Sequence, residues 1–492
     1  MSTPLSKKLI LLMMPLFITG CSATAAIDEE FLSKTKTLGS VRHEVKQKTG
    51  KQSVWVQNSN HAAGVAKRVH GMIHKKTINA DTAVQVALLN NKDLQASYAS
   101  IGLSATEIWQ QSLPKNPNVS IELLGIGAPG LGLLRSVEGW VAKDILRRLT
   151  HDKRVAIAET RFDQAKKQAV LDTLRLAAQT RTAWINAVAA FETVTYLNQA
   201  QVAADASSEL ALKLGQSGAI TKTAQAREHV FYAELAGQRA EAKLAAAMAK
   251  DQLTRLMGLW GSEVTYFVPD KLRALPKKRK KKVHVEAEAL KQRVDLQVAK
   301  LELEALAKSY GLTNATRYLT DLGIRTGAEI EREREEGESG VNETLVGQVE
   351  LDFNIPIFDS GKARLRRAEL NYMQAANRLA AMAVNVRAEA RGAYAVYNAR
   401  YDIARHYKRN VLPLRNIIAE QALLTNNGMI TNTFELLQDT RGRLNSLILS
   451  AGAKRDFWLA DAGLTAAVLS GAGGGGGEAG AVTVADSGGA GH

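Results

Sequence analysis

LVGQVELDFNIPIFDSGKARLRRAEL, residues 345–370, turns from a strand pattern into a helix pattern through Pro356, Asp359 and Gly361. At period two, Leu345, Gly347, Val349, Leu351, Phe353, Ile355 and Ile357 share one face. Val346, Gln348, Glu350, Asp352 and Asn354 share the other. The preceding run alternates as well, with Leu322, Ile324, Thr326, Ala328 and Ile330 set against Asp321, Gly323, Arg325, Gly327, Glu329 and Glu331. A hydrophilic loop, REREEGESGVNET at 332–344, joins the two. Such a hairpin fits a soluble sandwich with its oily face in a core, or a membrane strand pair with its oily face in lipid and the other in water. The rest of the chain has to decide.

The chain has 492 residues, 46% of them hydrophobic, with 9 prolines and 10 phenylalanines, which favours long helices. Lys7 and Lys8 precede an apolar run, Leu9 to Ile18, and then Thr19-Gly20-Cys21. That reads as a bacterial signal peptide over 1–20, too short for a stable anchor. Its end resembles a lipobox, so Cys21, the sole cysteine, is expected to be lipidated (palmitate among its acyl groups) and to become the first mature residue. Losing Lys7 and Lys8 takes the net charge from +15 to +13. No other segment approaches eighteen consecutive apolar residues, so any membrane crossing must use strands.

After Cys21, an N-terminal arm (21–78) reads as polar, weakly patterned and irregular. His70 and His74 stand at helical i, i+4 spacing, but with no carboxylate or thiol nearby they read as an exposed polar helix face and not as metal ligands. A helix is expected over 80–112, stopped by Pro114 and Pro117. NVSIELLGIG (118–127) and SVEGWVAKDI (136–145) form a less regular candidate hairpin. Gly125, Gly127 and Gly130 spell a nucleotide-type G-x-G-x-x-G, but Pro129 interrupts it and no helix opens at Gly130, so the glycines read as loop. From Lys153 to about Leu214 runs an alanine-rich helix on the order of 90 Å long. GQSGAIT (215–221) breaks it, and a second helix returns over 219–258. A linker, 259–283, carries KKRKKK at Lys277–Lys282, which behind a signal peptide reads as a solvated or phosphate-facing loop with no nucleic-acid partner.

The chain then repeats itself. Asp93-Leu94-Gln95 returns 202 residues later as Asp295-Leu296-Gln297, and Gly218-Ala219-Ile220-Thr221 returns 210 later as Gly428-Met429-Ile430-Thr431. Each half is helix, strand, strand, long helix, shorter helix, giving repeats over 79–258 and 284–468 and a Gly-rich, disordered tail over 469–492. Pro413 should kink the second long helix. Four strands cannot close a barrel, since about eight is the practical minimum, so several copies must share one.

In AVQVALLNNKDLQ (83–95) with the KNPN stop (115–118), AEALKQRVDLQ (287–297), IPIFDSGKAR (355–364) and the tips GQSGAIT and NNGMIT (426–431), the chain resembles the outer-membrane efflux family, the TolC-type channel-tunnel proteins. Val294 and the first-half junction AKDILRRLTHDKR (142–154) depart from the family's pattern. The resemblance implies a mainly helical protomer with an α-barrel tunnel of long antiparallel hairpins, and a homotrimer in which four strands per protomer build a 12-stranded membrane barrel. It implies a passive conduit, coupled through a periplasmic adaptor (membrane fusion) protein to an inner-membrane pump for efflux or type I secretion. The protein would then reside in the bacterial outer membrane, in contact with its lipid. The lumen would be lined by Asp321, Arg325, Glu329, Gln348, Glu350, Asp352 and Asn354, and the tips Gly218, Ile220, Thr221, Gly428, Ile430 and Thr431 would meet the adaptor. No nucleophile and base sit in a recognisable motif, so neither an enzyme nor a cofactor is expected. The rival is a lipid-anchored coiled-coil spacer or adhesin, which leaves the amphipathic strands unexplained.

Overall fold

The computed structural model describes residues 34–124, 126, 135–218, 220–333, 342–427 and 433–471. Cys21, the signal peptide, Gly125, Gly127, Gly130, Gly428, Ile430, Thr431 and the tail from residue 472 lie outside the described residues.

The arm is helical where the sequence reads as irregular: α1 spans Lys34–Thr49 and α2 Ser59–Ile73. Each presents about one apolar residue per turn, Leu38, Val41 and Val45 in α1 and Val65, Val69 and Ile73 in α2, and all six are buried. Asn58 caps α2, its side chain accepting from the His61 N–H at 2.8 Å. The ring of His70 stacks on that of His74 with centroids 4.3 Å apart.

The expected helix over 80–112 is two, α3 (Ala80–Asn90) and α4 (Lys92–Ser112). Asn91 makes the break, its Oδ1 accepting from the Leu94 N–H at 2.9 Å while its Nδ2 donates to the Leu256 carbonyl at 3.0 Å. There follow β1 (Asn118–Leu124), β2 (Ser136–Asp144), a short α5 (Ile145–Leu149), the long α6 (His151–Gln216) of 66 residues, and α7 (Lys222–Leu256). The second half repeats the break: α8 (Val285–Gln292) and α9 (Val294–Ala315) part at Arg293. Next come β3 (Leu322–Glu333), β4 (Asn342–Phe353), α10 (Lys362–His406), a π-helical turn over Tyr407–Val411, α11 (Leu412–Asn427) and α12 (Thr433–Leu469). The wide turn lies immediately before Pro413, which has no N–H to donate and whose ring would crowd the preceding turn.

The chain divides into two compact units. One takes Tyr98–Gln168 and Leu296–Ala381, and so contains all four strands. The other takes Arg42–Ser97, Ala169–Asp295 and the chain from Met382 onward. In the second unit the two break residues play matching parts. Asn91 binds the end of α7, and Arg293 donates to the Ala467 carbonyl near the end of α12 at 3.5 Å. Both helix ends are followed by glycines of positive φ, Gly258 at +66° and Gly471 at +82°, the left-handed C-cap conformation. Arg293 is buried and ion-paired with Asp295 at 2.6 Å and with Glu389.

The linker is bound along its length in this unit. Thr77 bridges Phe267 in parallel, Tyr266 is fully buried, and the Leu272 N–H donates to Glu192 at 3.1 Å. The Lys277–Lys282 run lies on a ladder of α10 tyrosines. The Tyr401 hydroxyl donates to the Pro276 carbonyl at 3.1 Å, and the Lys280 and Lys282 N–H groups donate to the hydroxyls of Tyr397 at 3.0 Å and Tyr394 at 3.2 Å. The last bond, with Arg279 and Lys281 nearby, holds the Tyr394 hydroxyl below its usual pKa.

Candidate functional site: a two-faced sheet with open edges

The four strands form one antiparallel sheet in the order β1-β2-β3-β4. Directly opposed residues project to the same side of a sheet, so the register assigns both faces. Leu345 opposes Ile330, Val349 opposes Thr326, Leu351 opposes Ile324 and Phe353 opposes Leu322. The row continues across β2, where Val137 opposes Ile330 and Val141 opposes Thr326, and ends on β1 with Leu123, Ile121 and Val119 opposite Val137, Gly139 and Val141. One side of the sheet is therefore apolar from edge to edge over its middle, with Lys143 at one end and the Arg332–Glu343 pair at the other. The other side carries Arg325 opposite Glu350, Gly327 opposite Gln348 and Trp140 opposite Gly327, and lines up Glu122, Glu138 and Glu329 across three strands.

Exposure bears on the two hairpin readings. In a sandwich the apolar side would be covered, but Val349 is 74% exposed and Ile121 71%, and along β3 the apolar-side residues Thr326, Ala328 and Ile330 are more exposed than Arg325, Gly327 and Glu329. The polar side organises itself. Arg325 pairs with Glu350 at 3.3 Å, Gln348 donates to Glu329 at 2.9 Å, and the Trp140 ring covers Gly327, where an added Cβ would lie 2.7 Å from it. β3 and β4 have 12 residues each, enough for the ~9–11 that a tilted membrane strand needs. They also run into the polar loop segment, as Arg332 opposite Glu343 with an ion pair at 3.0 Å. No helix among the described residues is long and apolar enough to cross a membrane. β1 and β4 are the sheet's two edges, each paired along one side within the described residues.

Asp321 and Asn354 fall one residue outside β3 and β4, so the strand ends short of the alternation, which continues in sequence to Ile357. The junction that follows is built on Gly361. It has φ +69°, its N–H donates to Asp359 at 2.9 Å, and an added Cβ would sit 2.7 Å from the Arg317 carbonyl oxygen. Gly361→Ala should therefore cost about 1–3 kcal/mol, read as a lower midpoint in thermal unfolding; an unchanged midpoint would mean the turn relaxes freely. Pro356 stands between strand and junction, where no ladder hydrogen bond is needed. The first-half junction lacks such a turn and uses Asp144, whose carboxylate accepts from the Arg147 N–H at 2.9 Å.

At the first helical tip Gly218 has φ +75°, Ile220 is half-buried, and the Thr221 hydroxyl accepts from the Ala224 N–H at 3.2 Å to start α7. Near this end Glu228, buried on α7, pairs with Arg441 of α12 at 3.1 Å, and the Arg441 guanidinium lies 3.8 Å from the Phe231 ring centre. Nothing in the sequence flags that pair, because the two residues are 213 apart and each looks like an ordinary helix-surface charge.

The fold is shared with solved structures. The chain superposes on the channel-forming protein CusC with a TM-score of 0.64 at 16% identity, covering 80% of this chain and 92% of that one. The Campylobacter jejuni CmeC outer-membrane channel gives 0.62 at 17% identity, covering 85% and 89%. The Vibrio cholerae outer-membrane protein VceC gives 0.62 at 15%, covering 80% and 96%. The fold is that of an outer-membrane channel. No protein-family model matches the sequence, and no curated protein sequence matches it. At such identities the likeness rests on the order of elements, a four-stranded sheet inserted between long helical hairpins.

Proposed function

We propose that the chain belongs to the outer-membrane efflux family and is one protomer of a homotrimeric, passive conduit across the outer membrane. The carrying observation is the sheet: apolar and exposed on one side, polar on the other, and open at both edges. An open edge in lipid leaves backbone N–H and C=O groups without partners, which costs several kcal/mol per group. Pairing β4 of one protomer with β1 of the next removes both edges, and three copies give twelve strands. The polar side then becomes the lumen, with Arg325, Glu329, Gln348 and Glu350 lining it and Asp321, Asp352 and Asn354 toward one rim. The conduit has no catalytic step; the repeats over 79–258 and 284–468 supply the helical tunnel. The tips around Gly218 and Gly428 dock a periplasmic adaptor, itself coupled to an inner-membrane pump.

Two experiments test this. Cysteines added in pairs along β1 and β4 of the otherwise unsubstituted protein, in which the Cys21 sulfur is expected to be alkylated and so unable to form disulfides, should crosslink between protomers under oxidation into a closed trimeric ladder. Crosslinks that stop at dimers, or that form only within one chain, would overturn the shared barrel. Cys21→Ser should block lipid attachment and leave uncleaved or unanchored precursor in a labelling experiment with radioactive palmitate, and label persisting in the variant would refute Cys21 as the acylated residue.

The carboxylate row gives a further expectation. Glu122, Glu138 and Glu329 stand side by side, and like charges at this spacing repel unless cations occupy the water between them. Replacing all three by Gln should shift the reversal potential of the pore away from cation selectivity. An unchanged reversal potential would place this row outside the conduction path.

A further inference from the structure

The second compact unit contains a cavity of about 290 Å³ lined by Lys48 of α1, Lys51, Arg181 of α6, Arg273 and Lys280 of the linker, and Asp461 of α12. Three separate stretches of chain bring these cations together, and α12 adds the carboxylate. An adjoining recess shares Lys48 and Lys280 and adds Lys282, which is paired there with Glu288 at 2.7 Å. Between the charges the walls mix apolar residues, Val84, Leu174 and Leu469 among them, with the polar Thr49, Thr465 and Ser470, and the cavity opens to solvent.

Some of the charge is answered within the protein. Asp81 pairs with Arg181 at 2.7 Å and with Lys51 at 3.4 Å, and Lys280 pairs with Asp461 at 2.5 Å. Burial alone would raise the Asp81 carboxyl, but Arg181 and Lys51 outweigh it and hold the group below its ordinary pKa, so it stays charged. Lys48 donates to the Gln292 carbonyl at 3.0 Å. Arg273 is different. Its guanidinium lies 3.9 Å from the Trp458 ring centre, its own carbonyl is held by the Trp458 indole N–H at 3.1 Å, and no carboxylate among the described residues pairs with it. It is a fixed cation presented at the cavity. Lys51, Arg181, Arg273 and Lys280, set against the two carboxylates and the negative C-terminal end of α12, worth roughly half a charge, leave an excess of roughly one to two positive charges.

We propose that this cavity binds a small polyanion carrying two or more phosphate or carboxylate groups. The planar forks of Arg181 and Arg273 suit bidentate oxyanion recognition, and Lys51 and Lys280 add point charges around them. Phosphate and carboxylate share this chemistry, and the volume admits a compact ligand rather than a polymer. The site is independent of whether the sheet forms a pore.

The test is calorimetric titration of the full-length protein in detergent, at fixed ionic strength, with inorganic pyrophosphate and separately with tricarballylate, against a sodium chloride blank. Saturable binding at one site per protomer is expected, and the tighter of the two anions identifies the ligand's acid group. Arg273→Gln with Lys51→Gln should weaken it at least tenfold. Should that variant fail to fold, Lys280→Gln, which removes an exposed lysine head, is expected to weaken binding several-fold and decides the matter alone. Heats that match the chloride blank for both anions, or variants that bind like the unsubstituted protein, would overturn the assignment.

Discussion

On the proposed shared barrel, Val349→Arg should lower the yield of oligomer in the outer-membrane fraction, while Gln348→Arg, one residue away, should leave that yield unchanged. Val349 is 74% exposed on the apolar side, opposite Thr326 and midway along the apolar run from Leu345 to Phe353. A cation near mid-depth on a barrel's lipid side costs about 2–4 kcal/mol, and a trimer incurs it three times, against a protein stability of only about 5–15 kcal/mol. Gln348 points to the polar side, where it already donates to Glu329 at 2.9 Å, so an arginine there meets a carboxylate. The readout is the band of unheated membrane samples on a denaturing gel. Equal loss, or equal retention, would reject the face assignment.

Lys454→Met should lower stability by about 3–5 kcal/mol, the usual result of removing one partner of a buried ion pair. Glu192 is 1% exposed, accepts from Lys454 at 2.6 Å and from the Leu272 N–H at 3.1 Å, and lies by Tyr196, whose hydroxyl is raised in pKa by burial and by that carboxylate. Without Lys454 the carboxylate keeps only neutral donors, the Leu272 N–H and the Tyr196 hydroxyl at 3.3 Å, in an apolar setting. Adding Glu192→Gln to Lys454→Met should restore much of the loss, because the stranded charge is gone while the amide still accepts from Leu272. A denaturation series on the three variants checks this, and a double variant no better than the single would mean that the loss is packing and not charge.

The sheet was legible because the alternation is nearly strict: the apolar row of β3 and β4 read in sequence lies on one side in the register, and Val346 alone among their apolar residues lies on the other. β2 was harder to read, since Gly139 and Trp140 interrupt its pattern. The register explains both, Gly139 being the apolar side's small position and Trp140 the cover over Gly327. That β2 pairs with β3, across an intervening helical hairpin and linker, follows from no local signal. The arm helices escaped reading because one buried residue per turn is a thin stripe in a polar segment. The breaks at Asn91 and Arg293 are single polar residues inside a continuous apolar period; Asn91 followed three residues later by Leu94 has the spacing of a helix cap, and that was the available clue. The KKRKKK run read as a solvated loop, and its side chains are largely exposed, but its backbone is tied to Tyr394, Tyr397 and Tyr401, a ladder that can be seen only once α10 and the linker are brought together.

The most direct measurement is single-channel recording of the purified full-length protein in a planar lipid bilayer. A shared twelve-stranded barrel with a polar interior predicts discrete, long-lived conductance steps from a preparation that runs as a trimer, abolished in Val349→Arg and retained in Gln348→Arg with altered conductance. A bilayer that stays silent with verified trimer inserted would contradict the conduit.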